Sequence, residues 1–146
     1  MIKSSRTATS LAEEDVFTYN SNGTISFTTT STISSPSTIV ATGVIYLNGD
    51  QPYKKEITFD PGTAMENNAV EEGTFDDKIN PFMNITGYSK MAIACPTYNY
   101  SLEGTVNNYL TYKRDNVLWD SSTYTYNSNN MPLTETYTDV EGNGDE

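Results

Sequence analysis

The sequence contains no histidine and only one cysteine in 146 residues. Without histidine, the chain cannot build a Ser-His-Asp or Cys-His catalytic site, a histidine-ligated zinc centre or a histidine pH sensor. A single cysteine cannot form an internal disulfide. The sequence also shows no nucleophile–base pair and no phosphate-binding loop. We therefore expect a protein that is not an enzyme and needs no cofactor.

Basic residues are also scarce, with 8 lysines and arginines against 19 aspartates and glutamates, and the formal net charge is −11. Such an excess of negative charge repels nucleic acids and anionic membranes, so we expect no direct binding to either. No apolar run reaches the roughly 18 residues of a membrane span. The basic start of the chain is not followed by an apolar stretch, so we expect no secretory signal.

The residues that are abundant favour β-structure. The chain has 14 serines, 22 threonines, 15 asparagines and 11 tyrosines, whereas strong helix formers are few. Threonine and tyrosine suit a pleated, half-buried surface, and serine and asparagine suit turns. An aromatic content of 12% argues against disorder, and the length fits one domain. The composition therefore predicts one all-β domain.

Alternation of apolar and polar residues locates the strands. In residues 24–33, Ile25 and Phe27 share one face with Ile33, while threonines occupy the other. Turn residues separate such segments every 8–12 positions, which is typical of an antiparallel β-sandwich or jelly roll. We predict eight or nine short strands and at most one short helix, over residues 63–72, where an ordered loop is equally compatible. The predicted strands cover residues 24–33, 38–47, 53–59, 85–95, 97–102, 105–112, 117–126 and 133–140.

The domain boundaries follow from the same pattern. Residues 1–15 are polar and of mixed charge, so we expect a flexible N-terminal arm. Residues 16–140 form the predicted sandwich domain, and residues 141–146 form an acidic C-terminal tail. A thin sandwich with many polar strand positions has a modest core. We therefore expect a homo-oligomer, because association buries further surface.

Aromatic residues in the second half of the chain are the candidate interaction surface. Exposed aromatic rings anchor protein interfaces or stack on sugars, whereas the alternative role is pairing across strands inside the sheet. For any single tyrosine, packing within the sheet is the simpler interpretation. The number of aromatic residues in this half of the chain nevertheless favours a contact surface. The candidates are Tyr98, Tyr100, Tyr109, Tyr112, Trp119, Tyr124 and Tyr126.

Two stretches resemble small β-sandwich domains in structural proteins of bacteriophage virions. Asn84-Ile85-Thr86-Gly87-Tyr88-Ser89-Lys90, followed by the apolar residues 91–94, resembles the θ-x-GY-x-K opening of a strand, where θ is a hydroxyl or apolar residue. Ser101-Leu102-Glu103-Gly104-Thr105 resembles the S-L-D-G-T turn that follows, with glutamate in place of aspartate. The resemblance covers about 25 residues and concerns a strand and a turn.

The resemblance implies a virion component, such as a capsid decoration protein or head fibre, assembled in the host cytoplasm. Its partners would be other virion proteins such as the major capsid protein. Two alternatives stay open. One is a carbohydrate-binding module or adhesin that uses the C-terminal tyrosines. The other is a tail-tube or baseplate subunit, which would line a ring with acidic charge so that DNA passes without sticking.

Overall fold

The computed structural model describes residues 2–8, 11–33, 36–86, 102 and 105–140. Within these ranges the chain forms nine β-strands and a single 3-10 turn, Pro81–Asn84. The strands are β1 Ile2–Ala8, β2 Leu11–Tyr19, β3 Thr24–Ser31, β4 Thr38–Asn48, β5 Gln51–Phe59, β6 Asn67–Ile79, β7 Asn107–Arg114, β8 Val117–Tyr126 and β9 Pro132–Asp139.

All nine strands belong to one antiparallel sheet in the order β1 to β9, so each strand pairs with its neighbours in the chain. The all-β prediction is confirmed. The described strands follow a meander within one sheet, which differs from the Greek-key crossovers of a jelly roll. Most of the connections are short, and a connection of a few residues places the next strand directly beside the previous one. The exception is the connection from β6 to β7, which spans residues 80–106.

Turn residues fix the hairpins. Asp115 and Asn116 separate β7 from β8 and have φ values of 51° and 66°. A two-residue turn of type I′ requires positive φ at both central positions, and aspartate and asparagine tolerate this conformation best after glycine. The Asp115 carboxylate also accepts a hydrogen bond from the backbone amide of Val70, at 2.8 Å, which ties this turn to β6.

The apolar core lies on one face of β2–β5. Gly43 in β4 lies opposite Phe27 in β3 and Ile57 in β5. A Cβ atom on Gly43 would come within 2.6 Å of the Phe27 ring, so the absence of a side chain leaves room for the aromatic ring. The core members are almost completely buried. Burial of each large side chain among them contributes roughly 1.5–3 kcal/mol to the stability of the fold. They are Phe17, Ile25, Phe27, Ala41, Ile45 and Ile57.

The N-terminal segment differs from the sequence prediction. Residues 1–15 are predicted as an arm, whereas the structure places Ile2–Ala8 and all of residues 11–15 in paired strands. The inward positions of β2 include Glu13 and Asp15, both buried. Asp15 is accommodated because it accepts a 2.7 Å hydrogen bond from the Thr29 hydroxyl. Acidic residues at inward positions conceal the apolar alternation that marks a strand.

Strand β6 differs from the prediction for the same reason. Residues 63–72 are predicted as a short helix or a loop, but the strand Asn67–Ile79 occupies much of this segment. Its inward position Glu71 is 2% exposed, and the carboxylate lies 2.6 Å from Lys55 Nζ on β5. Because an ion pair fills this inward position, the sequence of β6 lacks the apolar residue that would mark a strand there.

The remaining strand predictions fall into two groups. Those for β3, β4, β5, β7, β8 and β9 agree with the structure to within two residues at each end. Those over residues 85–95 and 97–102 lie almost entirely outside the described residues, as does the tail at residues 141–146.

Candidate functional site: a tyrosine–carboxylate groove

An open groove of about 560 Å³ lies on the face formed by β7, β8 and β9. The 3-10 turn Pro81–Asn84 and the buried Leu102 contribute to its walls. Apolar, aromatic and acidic side chains alternate along it. Its described lining is Asn80, Pro81, Phe82, Leu102, Thr105, Asn108, Tyr109, Asp120, Ser122, Tyr124, Pro132, Leu133, Thr134, Glu135 and Tyr137.

Asp120 is held in the groove by two tyrosine hydroxyls. Tyr109 on β7 donates to Oδ1 at 2.8 Å, and Tyr137 on β9 donates to Oδ2 at 3.2 Å. The carboxylate on the central strand β8 therefore links three strands. Tyr109 also packs edge-on against Phe75 of β6, with ring centroids 5.8 Å apart, which fixes the phenol that reaches Asp120.

Glu135 on β9 is held in a similar way from β8. The hydroxyls of Ser122 and Tyr124 donate to its Oε1 at 2.8 and 2.9 Å. The strand register explains this meeting, because Tyr124 lies directly opposite Glu135 and Ser122 lies opposite Tyr137. Side chains on directly opposed residues share a face of the sheet. Only one of the two carboxylate oxygens of Glu135 is used by these bonds.

A third carboxylate, Asp76, lies beside the groove, where the pairing of β6 with β7 is irregular. It accepts hydrogen bonds from the Asn108 backbone amide at 3.0 Å and side chain at 3.1 Å, and from the Lys78 amide at 2.9 Å. The Tyr126 hydroxyl also donates to it. These donors occupy the hydrogen-bonding positions of the Asp76 carboxylate. Asp76 thus bridges β6 and β7 where the backbone hydrogen bonds between the two strands are interrupted.

The electrostatic potential around these tyrosines is negative. Burial and then the hydrogen bond to Glu135 raise the pKa of Tyr124 to about 12. Burial and then Asp76 raise the pKa of Tyr126 to about 12. The pKa of Tyr137 is raised by burial and by the negative charges of Asp120, Asp139 and Glu135. All three phenols thus remain protonated donors at neutral pH.

The structure brings together some of the predicted interaction residues and separates others. Tyr109, Tyr124 and Tyr126 join the carboxylate networks, with Tyr109 and Tyr124 in the groove. Tyr112 is only 1% exposed and packs edge-on against Trp119 at 6.3 Å, so these two rings stabilise the sheet. The predicted Tyr98 and Tyr100 lie outside the described residues.

The acidic members of the site and one tyrosine lie outside the predicted interaction surface, which does not include Asp120, Glu135 or Tyr137. The alternation in residues 117–126 and 133–140 places Asp120 on the same strand face as Tyr124, and Glu135 on the same face as Tyr137. The sequence pattern alone therefore indicates that each of these acids shares a strand face with a tyrosine. The pairing of Tyr124 with Glu135 depends on the register of β8 against β9, which the pattern does not fix.

The described residues contain no group of three or more metal-ligating side chains close enough to hold a metal ion. In the same part of the chain, no helix is long and apolar enough to cross a membrane. The groove itself presents carboxylate oxygens, phenol rings and apolar side chains.

No protein-family model, curated protein or solved structure gives a significant match to this chain.

Proposed function

We propose that the protein is a non-enzymatic structural component of a bacteriophage virion, such as a capsid decoration protein or head fibre, that acts through protein–protein contacts. The virion assignment is supported by the resemblance of residues 84–105 to a strand and a turn of small phage sandwich domains. The groove over β7–β9 is the proposed contact surface. Its partners would be other virion proteins such as the major capsid protein, together with further copies of the chain.

The observation that carries the protein-contact role is the exposure of β9. Seven of its eight residues are exposed, and these include Leu133 at 66% and Tyr137 at 58%. Among the described strands, β9 pairs with β8 alone. A strand that presents apolar and aromatic side chains beside a groove is suited to burial against a partner.

The test is the composition of purified particles from a phage that encodes this chain. We expect mass spectrometry to detect the chain at many copies per particle, and electron microscopy to place density for it on the particle surface. A chain that is expressed during infection but missing from purified particles would contradict the virion assignment.

The carbohydrate-binding alternative has support from the combination of aromatic rings and carboxylates in the groove. However, Tyr112 is buried and packs edge-on against Trp119, so it offers no free face to a sugar. The groove therefore has fewer free stacking surfaces than the sequence predicts. A glycan array that gives signal with the wild type and loses it with Tyr137→Ala would favour this alternative. A hexameric ring in negative stain would favour a tail-tube subunit.

A further inference from the structure

Three parts of the sheet place a tyrosine hydroxyl beside a glutamate, and two of them supply a cation as well. On β4 and β5, Tyr46 donates to Glu56 Oε2 at 2.8 Å, while Lys54 Nζ lies 2.8 Å from Oε1. The pKa of Glu56 is lowered by Lys54 and then by Tyr46. The negative charge at this position is therefore balanced from within the chain.

The second case is buried. The carboxylate of Glu71 lies beside the Tyr112 hydroxyl and 2.6 Å from Lys55 Nζ. Arg114 lies opposite Glu71 on the neighbouring strand. Here too, the chain itself supplies the positive charge for a carboxylate, Glu71, that lies beside a tyrosine hydroxyl.

The groove is the exception. Asp120 and Glu135 receive hydroxyl donors only, and neither forms an ion pair with any described residue. Its described lining contains no lysine or arginine. Glu135 Oε2 accepts no hydrogen bond from the described part of the chain. Hydroxyls orient these carboxylates, but no side chain in the described part of the chain compensates their charge.

We propose that the groove accepts an arginine side chain from a partner protein, with the guanidinium bound by Glu135 and Asp120. This inference rests on the proposed function, because it names the chemistry of the partner at the contact surface. A guanidinium offers several donors in a planar fork that matches a carboxylate, and it stacks on aromatic rings. The exposed Tyr137 provides such a ring, and Leu133 can cover the aliphatic stem.

The experiment titrates the full-length protein with Nα-acetyl-arginine amide and follows backbone amide chemical shifts by NMR. Its uncharged isostere, Nα-acetyl-citrulline amide, is the matched probe. A single side chain in an open groove binds weakly, so we expect a dissociation constant on the order of 1–10 mM for the arginine probe. The largest shifts should fall on residues 120–124 and 133–137. The citrulline probe should bind at least about threefold more weakly, because it lacks the charge.

Two carboxylate variants locate the binding. Glu135→Gln and Asp120→Asn should each weaken arginine binding by about threefold or more, since each removes one charge-assisted hydrogen bond. Glu56→Gln is the matched control, because Glu56 also meets a tyrosine hydroxyl but already has Lys54, and it should leave binding unchanged. Thermal melts of all variants establish that they are folded.

Three results would overturn the inference. One is equal binding of the arginine and citrulline probes, and another is arginine shifts that are scattered over the acidic surface and insensitive to Glu135→Gln. The third is shifts at the groove with neutral oligosaccharides but not with arginine, which would assign the groove to a sugar. Particle composition tests the virion role separately. A chain present in particles with a groove that ignores arginine would refute only the present inference.

Discussion

Strands β2–β6 and strands β7–β9 belong to the same sheet, yet the glutamates that lie beside a tyrosine hydroxyl are held differently in the two regions. In β2–β6, an apolar core is accompanied by two such glutamates that each form an ion pair with a lysine, Lys54–Glu56 and Lys55–Glu71. In β7–β9, tyrosine and serine hydroxyls orient Asp120 and Glu135, and neither carboxylate forms an ion pair with a described residue. The first arrangement serves stability, because charge and counter-charge are both supplied within the fold. In the second arrangement, no described residue supplies a counter-charge, which is the basis of the proposed arginine contact.

The largest expected effect is the loss of the buried cation in the first region. Lys55→Met leaves Glu71 buried without its ion-pair partner, which we expect to lower the free energy of unfolding by about 3–5 kcal/mol at pH 7. Urea denaturation followed by the fluorescence of the single tryptophan measures the change.

The double variant Lys55→Met/Glu71→Met serves as its control. Replacing both charges by apolar side chains of similar volume should recover most of the lost stability. If the double variant is as unstable as Lys55→Met alone, the cost comes from lost packing, and the contrast between the two regions weakens.

Alkaline pH should act mainly on the second region. The pKa of both Tyr124 and Tyr126 is raised to about 12 by burial and by their carboxylate partners, compared with about 10 for tyrosine in an unfolded chain. Because the unfolded chain loses these protons first, their contribution to stability is complete below pH ~10 and is lost as the pH rises through ~12.

Phenolate absorbance measures this prediction. A group of tyrosines in the folded protein should titrate near pH 12, and Glu135→Gln should lower the midpoint of Tyr124 while leaving that of Tyr126 unchanged. Titration of every tyrosine near pH 10 under conditions where the protein stays folded would refute the phenol–carboxylate network.

Within the groove, the two phenols on Asp120 should differ in their contribution. Tyr109→Phe removes the shorter hydrogen bond, at a half-buried position, and should cost about 1–2 kcal/mol because the acceptor is charged. Tyr137→Phe removes the longer bond from an exposed ring and should cost less than about 0.5 kcal/mol. Chemical denaturation of both variants provides the comparison. Equal costs would show that Asp120 is not oriented mainly from β7.

The smallest effect concerns neutral cross-strand pairs, which should be alike in both regions. Thr125→Ala removes a 2.6 Å contact with the Thr134 hydroxyl in the second region, and Thr58→Ala removes a 2.7 Å contact with Asn68 in the first. Each should cost about 0.2–1 kcal/mol, as measured by thermal unfolding. A clearly larger cost for one of them would show that the regions differ in more than their charged groups.

The sequence predicts the strands whose inward positions are apolar, and it misses those whose inward positions are acidic. Ile25 and Phe27 make β3 recognisable, whereas Glu13, Asp15 and Glu71 conceal β2 and β6. In the sequence, an acidic residue at an inward position looks the same as a surface residue until its partner is known. That partner comes from another strand, as Lys55 does for Glu71, so the pattern of one segment cannot reveal it.

The candidate site was predictable only in part for a related reason. The tyrosines stand out by number, and alternation correctly places Tyr124 and Tyr126 on one face. Tyr109 and Tyr112 are three residues apart, and strict alternation would place them on opposite faces, but the pairing of β7 with β6 skips Leu110. Alternation alone therefore does not predict that Tyr112 is buried while Tyr109 lines the groove. Backbone irregularities of this kind carry no signature in the side-chain pattern.

The meander has a consequence for how the chain acquires its structure. Among the described strands, every hydrogen-bonded pair joins segments that are consecutive in the chain, so most pairings close short loops. Closing a short loop costs little entropy. We therefore expect hairpins near the N-terminus to form as synthesis proceeds, each providing a template for the strand that emerges next.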